Sequence, residues 1–220
     1  MNHTTATDDG AYEFVTLPAT DDARVFNEIF DIYVASIPAS ERKDRDALAR
    51  MTQSQRYRVH VAEHAGQVAA FGLVYHSEHH DFALLEYFAT SPVLRNQGIG
   101  GRLLDHILAA QHDTPMLLEV EAPPPTDHSG DSMENRRIGF YRRHGVRMIE
   151  DFGYVLPLKT AGTPPPMVIL VGAAKDLTSV PLETLRRWVG DIYENVYGVA
   201  RASPDFQAMF RNETTAFTIR

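Results

Sequence analysis

The sequence contains no cysteine among its 220 residues. Disulfide bonds, thiolate metal ligands and a cysteine nucleophile are therefore excluded. The absence is compatible with a reducing compartment, and on that basis we expect a cytoplasmic protein. The chain also lacks the run of about eighteen apolar residues that a membrane-spanning helix needs. Residues 1–10 have neither the basic nor the apolar region of a signal peptide, and we expect them to form a disordered tail.

Positive charge is in short supply, because 21 Lys and Arg residues stand against 29 Asp and Glu residues and give a formal net charge of −8. Non-specific binding of nucleic acid needs a basic surface, so the composition argues against it. The acidic balance favours a cationic partner. We therefore expect an amine substrate and neither nucleic acid nor a membrane as partner, and the sequence leaves a homodimer open.

Residues 84–104 combine an apolar strand, a short turn, a glycine-rich loop and the first turn of a helix. Glycines at a helix start let backbone N–H groups approach a phosphate closely, and the helix dipole adds positive potential there. The segment predicts a site for the diphosphate of an organic cofactor. A Walker loop is excluded, because Gly101-Arg102 stands where that motif has Lys-Ser/Thr. A dinucleotide loop is matched only in part, since Leu103 replaces its third small residue, but Glu119 lies about where a ribose-binding acid would be, so this alternative stays open.

The glycine-rich loop reads Arg95-Asn96-Gln97-Gly98-Ile99-Gly100. This order fits the pattern Arg/Gln-x-x-Gly-x-Gly/Ala and resembles the coenzyme A loop of the GNAT superfamily of acyl-CoA-dependent N-acetyltransferases. The preceding Phe88-Ala89-Thr90-Ser91-Pro92 resembles the Leu-Ala-Val-x-Pro that ends the family's fourth strand. About forty residues further on, residues 137–146 resemble its Phe-Tyr-x-x-x-Gly-Phe segment. By layout, the resemblance covers roughly residues 12–158.

The resemblance implies a mixed α/β fold. A central mixed, mostly antiparallel sheet would be flanked by helices, with a splayed cleft between its fourth and fifth strands. We expect the tail over residues 1–10 to be followed by a GNAT acyltransferase domain over 11–173. A C-terminal extension over 174–220 would dock on the same domain. A chain of 220 residues can bury a core of this size.

Hydrophobic periodicity outlines the same plan. It predicts strands over 12–17, 56–63, 68–75, 82–90, 116–122, 148–158 and 167–173. Helices are predicted after the N-caps Thr20 and Ser40, with Asp21 and Asp22 in the first turn of the first helix, and over residues 100–111 and 135–144. In the extension an apolar stripe at helical spacing predicts a helix that docks on the sheet, a dimer face or a wall of the substrate pocket. The stripe comprises Leu182, Leu185, Trp188, Val189, Ile192 and Val196.

The resemblance implies acetyl-CoA as co-substrate, and a primary amine that attacks it directly in a ternary complex. Backbone amides of the loop would hold the pyrophosphate. The end of the fourth strand would pair with the pantetheine arm and polarise the thioester carbonyl. The residues assigned to coenzyme A in this way are Phe88, Ala89, Thr90, Arg95, Asn96, Gln97, Gly98, Ile99, Gly100, Gly101 and Arg102. The alternative is a non-catalytic acyl-CoA-binding or regulatory module on the same fold.

Tyr141 takes the position of the family's tyrosine, which implies a general acid toward the departing thiolate. The alternative is an aromatic residue that packs at a helix end. Glu86 lies in an apolar strand, where alternation predicts the same face as Phe88, and we assign it as the base. Glu119 and Glu121 share a face of the fifth strand and would bind a cationic substrate, although Glu119 could instead be the base. A water chain could also replace a single fixed base.

Three further features of the sequence can each be interpreted in more than one way or depart from the family pattern. A metal site at His76, His79, His80 and Asp81 is the alternative to a polar loop, and we expect no metal. Residues 123–131 form a long loop that is either a substrate lid or a connector. Glu134 stands where the family has asparagine, and Asn135 follows one place late, which puts one cofactor contact in doubt.

Overall fold

The structure is a computed structural model that describes residues 12–17, 22–79, 81–157, 165–211 and 214–220. The predicted N-terminal tail, the Thr20 cap, Asp21, His80 and residues 158–164 lie outside this part of the chain. The chain divides into two units after His112. Helices accompany mostly antiparallel strands, so the predicted mixed α/β class is confirmed.

The first unit contains four strands that pair antiparallel in sequence order. They are β1 (Tyr12–Leu17), β2 (Tyr57–His64), β3 (Gln67–His76) and β4 (Ala83–Thr90). Its helices are α1 (Ala23–Ser36), α2 (Arg45–Gln53) and α3 (Ile99–Ala110). The predicted strands therefore agree with the structure to within one residue at each end.

Helices α1 and α3 cover opposite faces of these strands. Tyr33 of α1 meets Tyr87 of β4 edge-on, with 5.0 Å between the ring centroids. On the other face, Ile107 of α3 packs so closely over Gly72 of β3 that a Cβ at residue 72 would lie 2.6 Å from its Cδ1. These contacts bury side chains on both faces of the strands.

The predicted starts of the first two helices are corrected. Asp22 is the N-cap of α1 and its carboxylate accepts from the backbone N–H of Arg24 and Val25. Ala39–Glu41 form only a short 3₁₀ turn, and α2 is capped by Asp44, which accepts from Ala47 N at 2.7 Å. An aspartate directly before each helical run supplies the capping oxygen, so α1 follows Asp22 and α2 follows Asp44 instead of Ser40.

A β-bulge interrupts the pairing of β3 with β4. Leu73 pairs with Tyr87 and Val74 pairs with Leu85, so Glu86 is the extra residue of β4. A bulge breaks the alternation of side chains between the two faces. Glu86 therefore joins the face of Tyr87, and the prediction that it shares a face with Phe88 is wrong.

The second unit contains a further antiparallel group in the order β5, β7, β6. These strands are β5 (Met116–Glu121), β6 (Arg147–Met148) and β7 (Met167–Gly172), and helix α4 (Met133–Arg143) contacts β5. The predicted sixth strand over 148–158 is corrected to β6, followed by isolated bridges from Ile149 to Ile219 and from Tyr154 to Met167.

The C-terminal segment packs within this second unit. It contains β8 (Ser179–Pro181), α5 (Leu182–Asp191), a π-helix (Ile192–Val196), α6 (Pro204–Met209) and β9 (Ala216–Thr218). Strand β8 pairs with β9, and an aromatic cluster joins the segment to the residues after β6. The apolar stripe is buried there, apart from the half-buried Leu182. Its burial therefore needs no second copy of the chain.

Candidate active site

The N-terminus of α3 has no side-chain cap, and its first backbone amides precede the helical hydrogen bonds. Gly98 is the N-cap with φ 76°, in the left-handed region, and no side chain caps this end. The helical hydrogen bonds begin at Arg102 N, which donates to Gly98 O at 3.2 Å. The backbone N–H groups before Arg102 come before the first helical hydrogen bond and lie at the positive end of the helix dipole. A helix start of this kind has the local chemistry that favours an anion.

The end of β4 lies directly beside this loop. A Cβ added at Gly100 would lie 3.0 Å from Thr90 Oγ1 and 3.9 Å from the ring of Phe88. Glycine is favoured at this position because any larger residue would force Thr90 to shift. Among the residues assigned to coenzyme A, the structure thus brings Phe88 and Thr90 next to Gly100, all within the first unit.

The two arginines of the loop already have partners in the chain. Arg95 Nη2 donates to Ser36 Oγ at 3.0 Å. The guanidinium carbon of Arg102 lies 5.1 Å from the ring centroid of Phe14, as in a cation–π contact. Contact with a phosphate would require either side chain to share or exchange its partner.

Glu86 is held by two groups that the sequence patterns did not single out. Its side chain is only 3 % exposed, with Lys43 Nζ 3.0 Å from Oε1, and Tyr57 donates to Oε2 at 2.6 Å. Burial raises the pKa of Glu86 above its usual carboxyl value, while Lys43 and Tyr57 act in the opposite direction. The result is a buried carboxylate with a cation and a phenol in contact, which is the type of environment in which acid–base groups are tuned.

Tyr141 lies in the last turn of α4. Burial raises the pKa of its phenol to about 12, against a smaller opposing effect of Arg137 one turn earlier. Ser132 caps the start of α4, and Gly145, with φ 77°, follows its end. The phenol is therefore protonated at neutral pH, which is the state that a proton donor needs.

The two carboxylates of β5 have different partners. Tyr197 donates to Glu119 Oε2 at 2.6 Å, and Tyr154 donates to Oε1. Glu121 is 35 % exposed and lies 3.6 Å from Arg137 Nη1. Two phenols therefore fix the carboxylate of Glu119: that of Tyr154, which follows β6, and that of Tyr197 in the C-terminal segment. Glu121 instead lies beside Arg137.

Asp127 organises the long loop before α4. Its carboxylate accepts hydrogen bonds from Ser129 Oγ, Gly130 N, Asp131 N, Ser132 N and Asn135 Nδ2, at distances from 2.6 to 3.3 Å. The hydrogen bonds from Asn135, Ser132 and Ser129 hold the pKa of Asp127 well below its usual value. Asn135, which follows the position of the family's asparagine, is therefore bonded to the loop.

The histidines before β4 show no metal-binding geometry in the described part of the chain, where no group of three or more His, Asp or Glu side chains could hold an ion. Asp81 instead accepts from Ser77 Oγ at 2.8 Å.

None of the described helices is long and apolar enough to cross a membrane.

Lys43, Tyr57, Tyr154 and Tyr197 were not predicted as site residues. Each contacts a predicted carboxylate from a distant point in the sequence, with separations such as 78 residues between Tyr197 and Glu119. No local spacing could have connected them.

Comparison with known proteins identifies the class. Residues 55–147, which include the glycine-rich loop and the Tyr141 segment, match the model of the acetyltransferase (GNAT) domain. The resemblance to the GNAT superfamily inferred from the motifs is therefore confirmed. No curated protein sequence matches the chain.

Solved structures share this fold. A GNAT-family protein from Bacteroides thetaiotaomicron is 28% identical over 84% of this chain and 98% of that chain, with a TM-score of 0.67. The ribosomal-protein-S18-alanine N-acetyltransferase from Escherichia coli is 19% identical over 78% of this chain and 92% of its own, with a TM-score of 0.51. An aminoglycoside 6'-N-acetyltransferase in complex with coenzyme A is 14% identical over 71% and 94%, with a TM-score of 0.54.

Proposed function

We propose that this protein transfers the acetyl group of acetyl-CoA to a primary amine. The observation that carries the proposal is the uncapped N-terminus of α3, with Gly98 in the left-handed region and Gly100 against Thr90. Uncapped backbone amides at the positive end of a helix favour a pyrophosphate. The GNAT domain match makes coenzyme A the proposed source of that group.

In this proposal, the amine attacks the thioester carbonyl carbon directly and the carbon–sulfur bond breaks. Tyr141 gives its phenolic proton to the departing coenzyme A thiolate, and its pKa of about 12 keeps that proton available at neutral pH. Glu86 accepts the proton that the ammonium group loses before attack, either directly or through water, and the second proton lost by the nitrogen as the amide forms passes to solvent. Its raised pKa brings its proton affinity closer to that of an effective base at neutral pH. No covalent enzyme intermediate is needed.

The proposed acceptor is a small-molecule or peptide amine in its cationic form. Glu119 and Glu121 are the proposed contacts, because both are carboxylates on one face of β5. Glu121 is supported by its exposure, and Glu119 by the two phenols that fix its orientation. We extend the proposal to an N-acetyltransferase located in the cytoplasm, with residues 11–173 as the catalytic domain and 174–220 as an extension docked on it.

Thermal unfolding with and without acetyl-CoA, NAD and ATP tests the cofactor. A ligand at about 100 times its dissociation constant adds roughly 2.7 kcal/mol, or about 5–10 °C for a chain of this size. We expect this shift with acetyl-CoA and its loss in Gly100→Glu, since the new side chain is directed at Thr90 and adds negative charge. Gly153→Glu is the matched control, because Gly153 is exposed and a Cβ there meets nothing within 4 Å.

A shift with NAD alone, or no shift with acetyl-CoA, would contradict the proposal. Turnover against a panel of primary amines then separates an enzyme from a binding module. A module would bind acetyl-CoA and lose the shift in Gly100→Glu, yet would transfer no acetyl group to any amine.

A further inference from the structure

The C-terminal segment contains an open pocket with a volume of about 310 Å³. It lies outside the residues that we assign to acetyl-CoA. Helix α5 contributes Glu183, Arg186 and Arg187, and the later part of the segment contributes Arg201, Phe206 and Gln207. Guanidinium groups therefore outnumber the lining carboxylate three to one, although the whole chain carries a net charge of −8.

Arg201 is placed in this pocket by a glycine inside α5. A Cβ at Gly190 would lie 2.6 Å from Arg201 Nε, and its three nearest atoms would all belong to Arg201. Glycine within a helix costs about 1 kcal/mol relative to alanine. Gly190 therefore disfavours the helix, but it leaves room for the Arg201 side chain to lie against the backbone of α5.

Gln207 connects two of the arginines. Its Nε2 donates to the backbone O of Arg201 at 2.7 Å, and its Oε1 lies 3.4 Å from Arg186 Nη2. Arg201 Nε is paired with Glu194 at 2.8 Å, and the guanidinium of Arg186 lies over the ring of Phe210. These contacts order both side chains before any ligand arrives, which lowers the entropy cost of binding.

We propose that this pocket is a binding site for a small anion that carries a phosphate group. The ion pair of Arg201 uses Nε, and the remaining N–H donors of a guanidinium are arranged to bind two oxygens of one phosphate. A volume of about 310 Å³ exceeds that of a phosphate ion, and Phe206 provides an apolar wall for an organic part. The ligand class is therefore an organic phosphate or free phosphate, recognised through its dianionic group.

The test is a titration of the ¹⁵N-labelled full-length chain with inorganic phosphate, at an ionic strength kept constant with sodium chloride. We expect saturable amide shifts at Arg187, Arg201 and Gln207. Arg201→Gln removes one charge-assisted contact and should weaken binding about tenfold. Arg50→Gln, which removes one exposed charge from α2, should bind as the wild type does.

Gly190→Ala is the sharper variant, because it displaces Arg201 without removing any charge. Alanine favours the helix, so we expect weaker phosphate binding with no loss of thermal stability beyond a few degrees. If Arg201→Gln does not fold, the phosphate affinity of Gly190→Ala tests the proposal by itself. Phenyl phosphate serves as the second probe: tighter binding than phosphate identifies an organic phosphate as the ligand, and equal binding identifies free phosphate.

Three results would overturn the proposal. One is the absence of saturable shifts in the pocket at tens of millimolar phosphate. Another is wild-type affinity in both Arg201→Gln and Gly190→Ala, because the arginine would then have no part in binding. The third is a response confined to residues 98–101, which would assign the phosphate to the loop before α3.

Discussion

A buried histidine makes a quantitative prediction about stability and pH. His60 of β2 is 1 % exposed, and its Nδ1 lies 3.0 Å from Thr16 Oγ1. The same hydroxyl lies 2.8 Å from His106 Nε2 of α3. The hydroxyl has a single proton to donate, and the ring that accepts it must keep an unprotonated nitrogen, while the other ring donates to the hydroxyl oxygen. This arrangement therefore favours a neutral imidazole for the ring that accepts.

The magnitude follows from the pKa of His60. Burial lowers it to about 3, with smaller contributions in the same direction from His106, His76 and Arg58. In the unfolded chain a histidine has a pKa of about 6.5. Between these two values the unfolded state binds a proton that the folded state does not, so stability falls as the pH falls. From pH 8 to pH 5 the loss attributable to His60 is about 2 kcal/mol.

The assay is urea unfolding at intervals from pH 8 to pH 5 for the wild type and His60→Asn. Asparagine places an amide near the position of Nδ1 and has no proton to gain. We expect the free energy of unfolding of the wild type to fall by about 2 kcal/mol more than that of the variant over this range. His128→Asn, an exposed loop position, should retain the wild-type slope.

Parallel pH curves for the wild type and His60→Asn would refute the reasoning. If His60→Asn does not fold, a pH titration of the imidazole resonances of the wild type tests the same reasoning. A His60 ring that titrates between pH 6 and pH 7 in the folded protein would show that burial does not exclude its charged form.

Further predictions concern the proposed chemistry and the packing around it. Tyr141→Phe should lower kcat by roughly 10²–10⁴ with little change in acetyl-CoA affinity, as measured by steady-state kinetics and calorimetry. Lys43→Met removes a cation that lowers the pKa of Glu86, so the acidic limb of the kcat/KM profile should move to higher pH; an unmoved limb would exclude Glu86 as the base. Tyr197→Phe should cost about 1–2 kcal/mol in urea unfolding, because it removes the 2.6 Å bond to Glu119, and an unchanged midpoint would contradict that role. Asp127→Ala should speed amide hydrogen exchange in the loop before α4, and unchanged protection would show that the carboxylate does not order it.

The sequence alone determined the features that depend on neighbouring residues. The limits of β1 to β5, α3, α4 and β7 agree with the hydrophobic pattern to within two residues, because side-chain periodicity and turn chemistry are local. Gly98 and Gly100 could be singled out for the same reason, since a left-handed residue and a close approach to a strand both favour glycine. The class of protein followed from those motifs.

Only the tertiary structure decided which groups surround the proposed catalytic residues. A bulge in β4 moved Glu86 to the opposite face from Phe88, and that bulge depends on the register with β3. Lys43 and Tyr57 reach Glu86, and Tyr197 reaches Glu119, from positions far apart in the chain. Such contacts arise when sheet register and helix packing bring remote residues together, and periodicity along one segment carries no information about them.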